Sequence, residues 1–131
     1  MKKVVIDTNI IVSATLYPNS KPAEIMKQFY FGKIILYYSD SILSEYKRVL
    51  SYAKFDFPIE VQTDIINTIK EKGILLSTLQ STIPLPDETD RIFYDTAKAS
   101  GAMLITGNLK HYPSEPFIMT PADLLSVAVE C

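Results

Sequence analysis

The stretch that decides the fold is Lys2–Asn9, which runs KKVVIDTN in one-letter code. Its first part, Lys2–Ile6, carries a continuous β-branched run and ends abruptly at Asp7. An apolar run of this kind, without alternation, predicts a strand that is buried on both faces, as in a parallel sheet. The polar side chains that follow predict that the chain leaves the sheet there.

Short apolar runs and helical patterns alternate along the rest of the chain. Further strands are predicted at Ile34–Tyr38, Ile74–Leu76, Ala102–Thr106 and Phe117–Met119. Helices are predicted at Asn9–Ala14, Pro22–Phe31, Ile42–Leu50, Glu60–Lys72, Asp87–Ser100 and Ala122–Val129. Strands that are separated by helices predict an α/β fold, here a three-layer α/β/α sandwich around a parallel sheet of about five strands.

Length and composition indicate one globular domain over residues 1–131. The 47% of hydrophobic and 21% of charged residues exclude a disordered chain. Cys131 is the only cysteine, so no internal disulfide can form, which fits a reducing compartment. No apolar run approaches the ~20 residues that span a membrane, and no signal-peptide core follows Met1. We therefore expect a cytoplasmic protein with no membrane partner.

The net charge is −2, from 13 basic and 15 acidic residues. A protein that grips duplex DNA by its phosphates is expected to be basic, so this balance argues against that class. It does not exclude a nuclease, because metal-binding carboxylates make an active site acidic and bound cations reverse that sign locally.

Polar side chains collect at the carboxyl ends of the predicted strands, where parallel sheets bind their ligands. These residues are Asp7, Thr8 and Asn9 after the first strand, Glu45 in the helix after the second, Asp87 and Asp90 before the fourth, and Thr106, Gly107 and Asn108 after it. The acidic groups among them are therefore expected near one edge of the sheet.

Each of these acids also has a purely structural interpretation. Asp7 is typical of a helix cap or a turn. Glu45 suits a solvated helix surface, where Arg48 lies three residues on and could pair with it or meet a phosphate. Asp87 and Asp90 are spaced like a capping box. At this point both interpretations stay open.

The sequence lacks the residues that other kinds of functional site require. His111 is the only histidine and is expected to be a surface or packing residue, and one histidine with a terminal cysteine cannot build a zinc site. The four glycines form no phosphate-binding loop, and no nucleophile elbow occurs. The aromatic residues are expected in the core and at interfaces, among them Tyr37, Tyr38, Tyr46, Tyr52, Phe55 and Phe57.

Taken together, the candidate motifs resemble the PIN domain family, and more narrowly its small prokaryotic toxin–antitoxin members of the VapC-like type. The resemblance covers nearly the whole chain, with the motifs in family order. They are Val4–Ile10, Ser41–Val49 with Glu45, Pro86–Phe93 followed by Ala97, Ala102–Leu109, and a closing helix at Pro121–Leu125.

The resemblance implies a metal-dependent endoribonuclease that acts on single-stranded RNA with Mg²⁺ or Mn²⁺. It implies that Asp7, Glu45 and Asp90 are the catalytic metal carboxylates, with Asp87 as an auxiliary acid. The implied substrate rim consists of Thr8, Asn9, Arg48, Thr106 and Asn108. The sequence departs from the pattern at the positions of Asn108 and His111, where many members carry another aspartate.

The implied partners are the RNA substrate, a small antitoxin protein and a second copy of the chain in a homodimer. Two other interpretations remain: a catalytically weak RNA-binding or regulatory PIN module, and a structural α/β domain whose acids serve only as caps. The positions of the acids distinguish these interpretations, because a metal site requires the carboxylates of Asp7, Glu45 and Asp90 to point into one cleft and share an ion.

Overall fold

The computed structural model describes residues 1–127 and has a five-stranded sheet at its centre. Its strands are β1 (Lys2–Ile6), β2 (Ile34–Tyr38), β3 (Ile74–Leu75), β4 (Met103–Ile105) and β5 (Ile118–Met119). All neighbouring strands are parallel, and their order is β3-β2-β1-β4-β5. The predicted parallel sheet is therefore confirmed.

Within residues 1–127, six α-helices complete the predicted three-layer α/β/α fold. They are α1 (Thr8–Leu16), α2 (Lys21–Tyr30), α3 (Asp40–Leu50), α4 (Ile59–Lys72), α5 (Arg91–Ser100) and α6 (Pro121–Ser126). Short 3₁₀ turns lie at Ala53–Phe55, Glu88–Asp90 and Leu109–His111. None of the helices in residues 1–127 combines the length and the apolar character needed to cross a membrane.

The central position of β1 explains why its sequence is so apolar. Val4, Val5 and Ile6 are completely buried. Val4 pairs with Leu36 of β2 on one side and with Met103 of β4 on the other. A neighbour on each side and helices on both faces leave no exposed position at Val4, Val5 and Ile6. Lys2 and Lys3, at the start of the strand, are half-buried and exposed, respectively.

The strand order also sets the place of a binding site. Successive connections lead from β1 to β2 and β3 on one side, and the chain then crosses back to β4 on the other side of β1. Such a reversal opens a crevice at the carboxyl ends of the two strands where it occurs. Asp7 follows β1 and Thr106 follows β4, so both lie at this crevice.

Within residues 1–127 the observed helix bounds differ from the predicted ones by up to four residues, and the largest difference is at the start of α5. The helix expected from Asp87 starts with the 3₁₀ turn Glu88–Asp90, because Asp87 Oδ1 accepts a bond from the backbone N–H of Thr89, only two residues on. The α-helix itself begins at Arg91. The closing helix is described only up to Ser126, and the rest of its predicted range, like Cys131, lies outside the described residues.

Candidate active site

Asp7 lies at the crevice and is almost completely buried, with 5% of its surface exposed. Its Oδ1 accepts a hydrogen bond from the backbone N–H of Asn9 at 3.2 Å and so caps α1. Its Oδ2 accepts bonds from the hydroxyls of Thr106 at 3.0 Å and Tyr112 at 3.1 Å. Capping is therefore one role of Asp7, but two further donors hold its other oxygen at the end of the sheet.

Tyr112 lies at the centre of the acidic residues. It is buried, and burial is the main reason why the pKa of its hydroxyl is raised. The negative charges of Asp7, Asp90 and Glu45 raise the pKa further, as does the hydrogen bond to Asp7. Charges act on a hydroxyl in this way only over short distances. The three acids predicted from the sequence therefore gather around one buried tyrosine.

Contacts of α3 and of the Glu45 side chain hold Glu45 near Asp7. The hydroxyl of the buried Tyr46 donates to the carbonyl of Ile6, which ties α3 to the end of β1. Thr8 Oγ1 donates to Glu45 Oε2, and Arg48 Nη2 lies 3.6 Å from Glu45 Oε1. Arg48 thus pairs with Glu45, which is one of the two roles considered for it. Thr8 links Glu45 to the segment that carries Asp7.

Asp90 differs from Asp7, Glu45 and Asp87 because one of its oxygens is buried without a hydrogen bond. Its Oδ2 accepts none from any group in residues 1–127. Burial, together with the charges of Asp7, Asp87 and Glu45, raises the pKa of Asp90 to about 6, although His111 acts in the opposite direction. The capping-box interpretation is therefore wrong for Asp90, because its carboxylate does not return to the backbone of the turn. Asp87 does cap the turn, because its carboxylate accepts a hydrogen bond from the backbone N–H of Thr89.

Asn108 and His111 form a chain of contacts that ends at Asp90. Asn108 Oδ1 accepts from the backbone N–H of Lys110, so its amide nitrogen is the group that faces His111 Nε2 at 2.9 Å. The other ring nitrogen of His111, Nδ1, lies 3.4 Å from Asp90 Oδ2. His111 is therefore more than a surface or packing residue.

The remaining rim residues lie further out. Asn9 is exposed, and its contact with Asp7 comes from its backbone N–H. Asp87 is exposed, and its hydrogen bonds with Thr89 lower the pKa of its carboxyl. Asn108 is exposed, but its backbone N–H donates to Thr106 Oγ1 and so reaches Asp7 through one intermediate.

The acids are close but do not form a ready-made metal centre. Across the described part of the chain, no group of three or more His, Cys, Asp or Glu side chains is arranged to hold an ion. The expectation that Asp7, Glu45 and Asp90 already point together as ligands of one ion is therefore not met, because Thr8, Thr106 and Tyr112 occupy oxygens of two of them. The residues nevertheless suit a hard cation, since every donor is an oxygen and Asp90 Oδ2 has unused lone pairs.

The hydroxyl of Thr106 is expected to contribute measurably to stability. Thr106→Val keeps the shape of this fully buried side chain but removes the donor to Asp7 and the acceptor for the Asn108 N–H. We expect the free energy of unfolding to fall by about 1.5–3 kcal/mol, because a charged acceptor loses its donor. Urea denaturation measures the change.

The matched control is Thr96→Val. Thr96 is also fully buried, but its Oγ1 has no hydrogen-bond partner within residues 1–127. Its replacement is expected to change the free energy of unfolding by no more than about 0.5 kcal/mol, or to raise it. Equal losses in both variants would mean that the Thr106 hydroxyl does not hold Asp7.

The sequence interpretation missed Tyr112 and the contact of His111 with Asp90. Both residues follow the fourth motif by a few positions, but no local pattern distinguishes them from other polar residues in a turn. Tyr112 lies 105 residues from Asp7 along the chain, so only the packing of β1 beside β4 reveals their contact.

Comparison with known proteins identifies relatives by sequence. A family model described as a PIN domain matches residues 3–110. An uncharacterized protein of Methanocaldococcus jannaschii is 30% identical over 112 residues, which cover 81% of this chain and 70% of that protein.

Solved structures have the same fold at low sequence identity. VapBC2 from Rickettsia felis, bound to a DNA fragment from its promoter, is 15% identical, with a TM-score of 0.58 over 90% of this chain and 96% of that chain. FitAB bound to the IR36 DNA fragment is 15% identical, with a TM-score of 0.59 over 90% of this chain and 94% of that chain. A toxin–antitoxin complex from Klebsiella pneumoniae is 18% identical, with a TM-score of 0.55 over 90% of this chain and 97% of that chain.

Proposed function

Because this chain belongs to the PIN-domain family, we propose that it is a metal-dependent endoribonuclease that hydrolyses phosphodiester bonds of single-stranded RNA. The observation that carries the proposal is the grouping of Asp7, Glu45 and Asp90 around Tyr112, where the strand order of the sheet reverses. Like charges that are held together destabilise a folded protein, and a divalent cation offsets that repulsion.

The proposed ion is Mg²⁺ or Mn²⁺, because the available donors are oxygens. Asp7, Glu45 and Asp90 would hold it, with Asp87 as an auxiliary acid whose charge already acts on Asp90. When bound, such an ion supplies an activated water near neutral pH and relieves negative charge on the phosphate.

The chain's own residues prepare this site. Thr106 and Tyr112 fix Asp7 through its Oδ2, and Thr8 orients Glu45. His111 presents its Nδ1 toward Asp90. These contacts preset the positions of the acids, which lowers the reorganisation that substrate binding requires. Together with Thr8 and Thr106, the proposed substrate rim consists of Asn9, Arg48 and Asn108.

We also propose that the chain is the toxin half of a toxin–antitoxin pair. The support is its family and the shared fold with a toxin–antitoxin complex from Klebsiella pneumoniae. A small antitoxin would direct a basic side chain, most simply an arginine, toward the acidic group, because a cation there replaces the charge of the metal. Exposed apolar side chains such as Phe31 and Leu79 would supply a surface for a homodimer.

Cleavage assays test the proposal directly. The protein is incubated with a labelled single-stranded RNA, with the matching DNA, and with a duplex RNA, each in Mn²⁺ and in excess chelator. We expect cleavage of the single-stranded RNA in Mn²⁺ and none with chelator. Cleavage that continues in chelator would contradict the metal-dependent mechanism.

The same experiment distinguishes the other interpretations. RNA that binds without being cleaved would indicate a weak RNA-binding or regulatory module. If the protein neither binds nor cleaves RNA under any of these conditions, its acids have only a structural role and the proposal fails.

A further inference from the structure

Three aromatic side chains form a row just beyond α3. The ring centroids of Tyr52 and Phe55 are 6.4 Å apart and those of Phe55 and Phe57 are 5.5 Å apart, and both pairs are within 14° of parallel. This is the geometry of offset stacking. Asp56 makes it possible, because its left-handed conformation (φ 52°) reverses the chain between the two phenylalanines.

The row lies partly at the surface: Phe55 and Phe57 pack against the core, and Tyr52 is more open. Tyr38 and Tyr46 are buried as expected. Tyr52 is 37% exposed, and Phe55 and Phe57 are half-buried. The row therefore has a firm base against the core and a side that is open to solvent.

Positive charges accompany the rings. Lys54 Nζ lies 5.1 Å from the ring centroid of Phe55 and 6.0 Å from that of Tyr52, and Arg48 Cζ lies 5.9 Å from that of Tyr52. Residues 47–57 contain three basic residues and one acidic residue, Asp56, although the whole chain carries a net charge of −2. We call the set Arg48, Tyr52, Lys54, Phe55 and Phe57 the aromatic platform.

The aromatic platform is continuous with the candidate active site. Glu45, Arg48 and Tyr52 are spaced three and four residues apart, so they follow one face of α3 and its end. Arg48 touches both of the others: its Nη2 lies 3.6 Å from Glu45 Oε1, and its Nη1 donates to the Tyr52 hydroxyl. At 1.5 Å per residue, α3 extends about 8 Å from Glu45 to its last residue, Leu50, which is two residues before Tyr52.

We propose that the aromatic platform binds unpaired bases of the substrate RNA and leads the strand into the acidic site. A base would stack at the exposed Tyr52 end of the row, while Lys54 and Arg48 contact phosphates on the same strand. Ring faces accept any base that is free of a duplex, and neighbouring cations bind the backbone, which is the combination found in surfaces for single-stranded nucleic acids. This inference rests on the proposed ribonuclease function and adds where the strand lies.

Binding measurements with Tyr52 variants test the inference. Fluorescence anisotropy is recorded with an oligouridylate of about twelve nucleotides, in chelator so that cleavage does not interfere. Tyr52→Leu, which keeps apolar bulk but removes the ring, is expected to weaken binding about tenfold. Tyr52→Phe is expected to stay within about twofold of the parent, because it keeps the ring. Tyr17→Leu is the matched control, since Tyr17 is also exposed but lies in the loop after α1.

Lys54→Gln provides an independent measurement on an exposed residue. Its binding is expected to weaken and to depend less on salt, with the slope of log K against log [salt] reduced by about one. Melting curves confirm that each variant folds.

The outcomes separate failure of the platform from failure of the enzyme. If the parent cleaves RNA but Tyr52→Leu and Lys54→Gln bind it like the parent, the platform inference is wrong and the ribonuclease proposal stands. If Tyr52→Leu leaves RNA binding intact and lowers the mass in light scattering, the surface is an interface between copies of the chain, which also overturns the inference. A parent that neither binds nor cleaves RNA contradicts the proposed function itself.

Discussion

Asp90→Asn is expected to abolish RNA cleavage and, at the same time, to stabilise the protein at neutral pH. Cleavage should fall at least about a hundredfold, since even partners of a metal ligand commonly contribute ten- to a hundredfold. Stability should rise because Asp90 Oδ2 is buried, accepts no hydrogen bond within residues 1–127 and lies near the charges of Asp7 and Glu45. Removing the charge of Asp90 relieves that repulsion.

The gain should depend on pH in a defined direction. The pKa of Asp90 rises from 3.8 to about 6 on folding, so the native state holds this proton more tightly than the unfolded chain does. Between about pH 4 and pH 6 the stability of the parent therefore falls as the pH rises. The advantage of Asp90→Asn should be about 1–2 kcal/mol above pH 7, after allowance for solvent screening, and should vanish below about pH 4.

Asp7→Asn is the matched comparison, and its effect on stability should have the opposite sign. It is also expected to abolish cleavage, but Asp7 accepts hydrogen bonds from Asn9, Thr106 and Tyr112. An amide nitrogen cannot accept from those donors, and each bond to a charged acceptor contributes about 1.5–3 kcal/mol. The free energy lost with these hydrogen bonds should exceed the gain from removing the negative charge of Asp7. Urea denaturation in chelator from pH 4 to pH 8 measures both variants, and equal stability changes of the same sign would contradict the site geometry.

Mn²⁺ is expected to raise the melting temperature of the parent protein by roughly 10 °C at a hundredfold excess over its dissociation constant. Binding to the native state alone contributes about 2.7 kcal/mol at that excess. For a chain of this length the entropy of unfolding converts that free energy into roughly 10 °C. The shift should decrease below about pH 6, because protons then compete for Asp90.

Two double variants decide where the ion binds. The shift should disappear in Asp7→Ala, Asp90→Ala. It should persist in Asp64→Ala, Glu71→Ala, which removes two exposed acids from α4 instead. Differential scanning fluorimetry with and without Mn²⁺ compares the shifts, so the different baseline stabilities do not matter. A shift of the same size in both double variants would place the ion elsewhere.

Features that depend on neighbours along the chain followed from the sequence. The apolar run at Val4–Ile6 is visible in the local sequence, and the strand that it predicts is present. The order of strands and helices, each marked by its own period, was sufficient to predict the α/β class. The carboxyl ends of parallel strands meet at one edge, so Asp7 and Thr106 were expected there before any distance was known.

Features that depend on distant parts of the chain required the structure. The contact of Tyr112 with Asp7 spans 105 residues, and that of Thr106 with Asp7 spans 99. Asp7 accepts hydrogen bonds from three donors, whereas one oxygen of Asp90 is buried and accepts none within residues 1–127. No local sequence pattern predicts this difference.

The same distinction applies to the surface beyond α3. Sequence pattern places Tyr52, Phe55 and Phe57 among apolar residues and so suggests a core or an interface, because hydrophobicity alone does not say which side of a ring is covered. Helix packing and the reversed backbone at Asp56 leave the row partly open to solvent beside Arg48. Amino-acid pattern thus determines which elements form and in what order. Burial, hydrogen-bond partners and mutual charge effects arise only when those elements pack, because each depends on atoms that are remote in sequence and close in space.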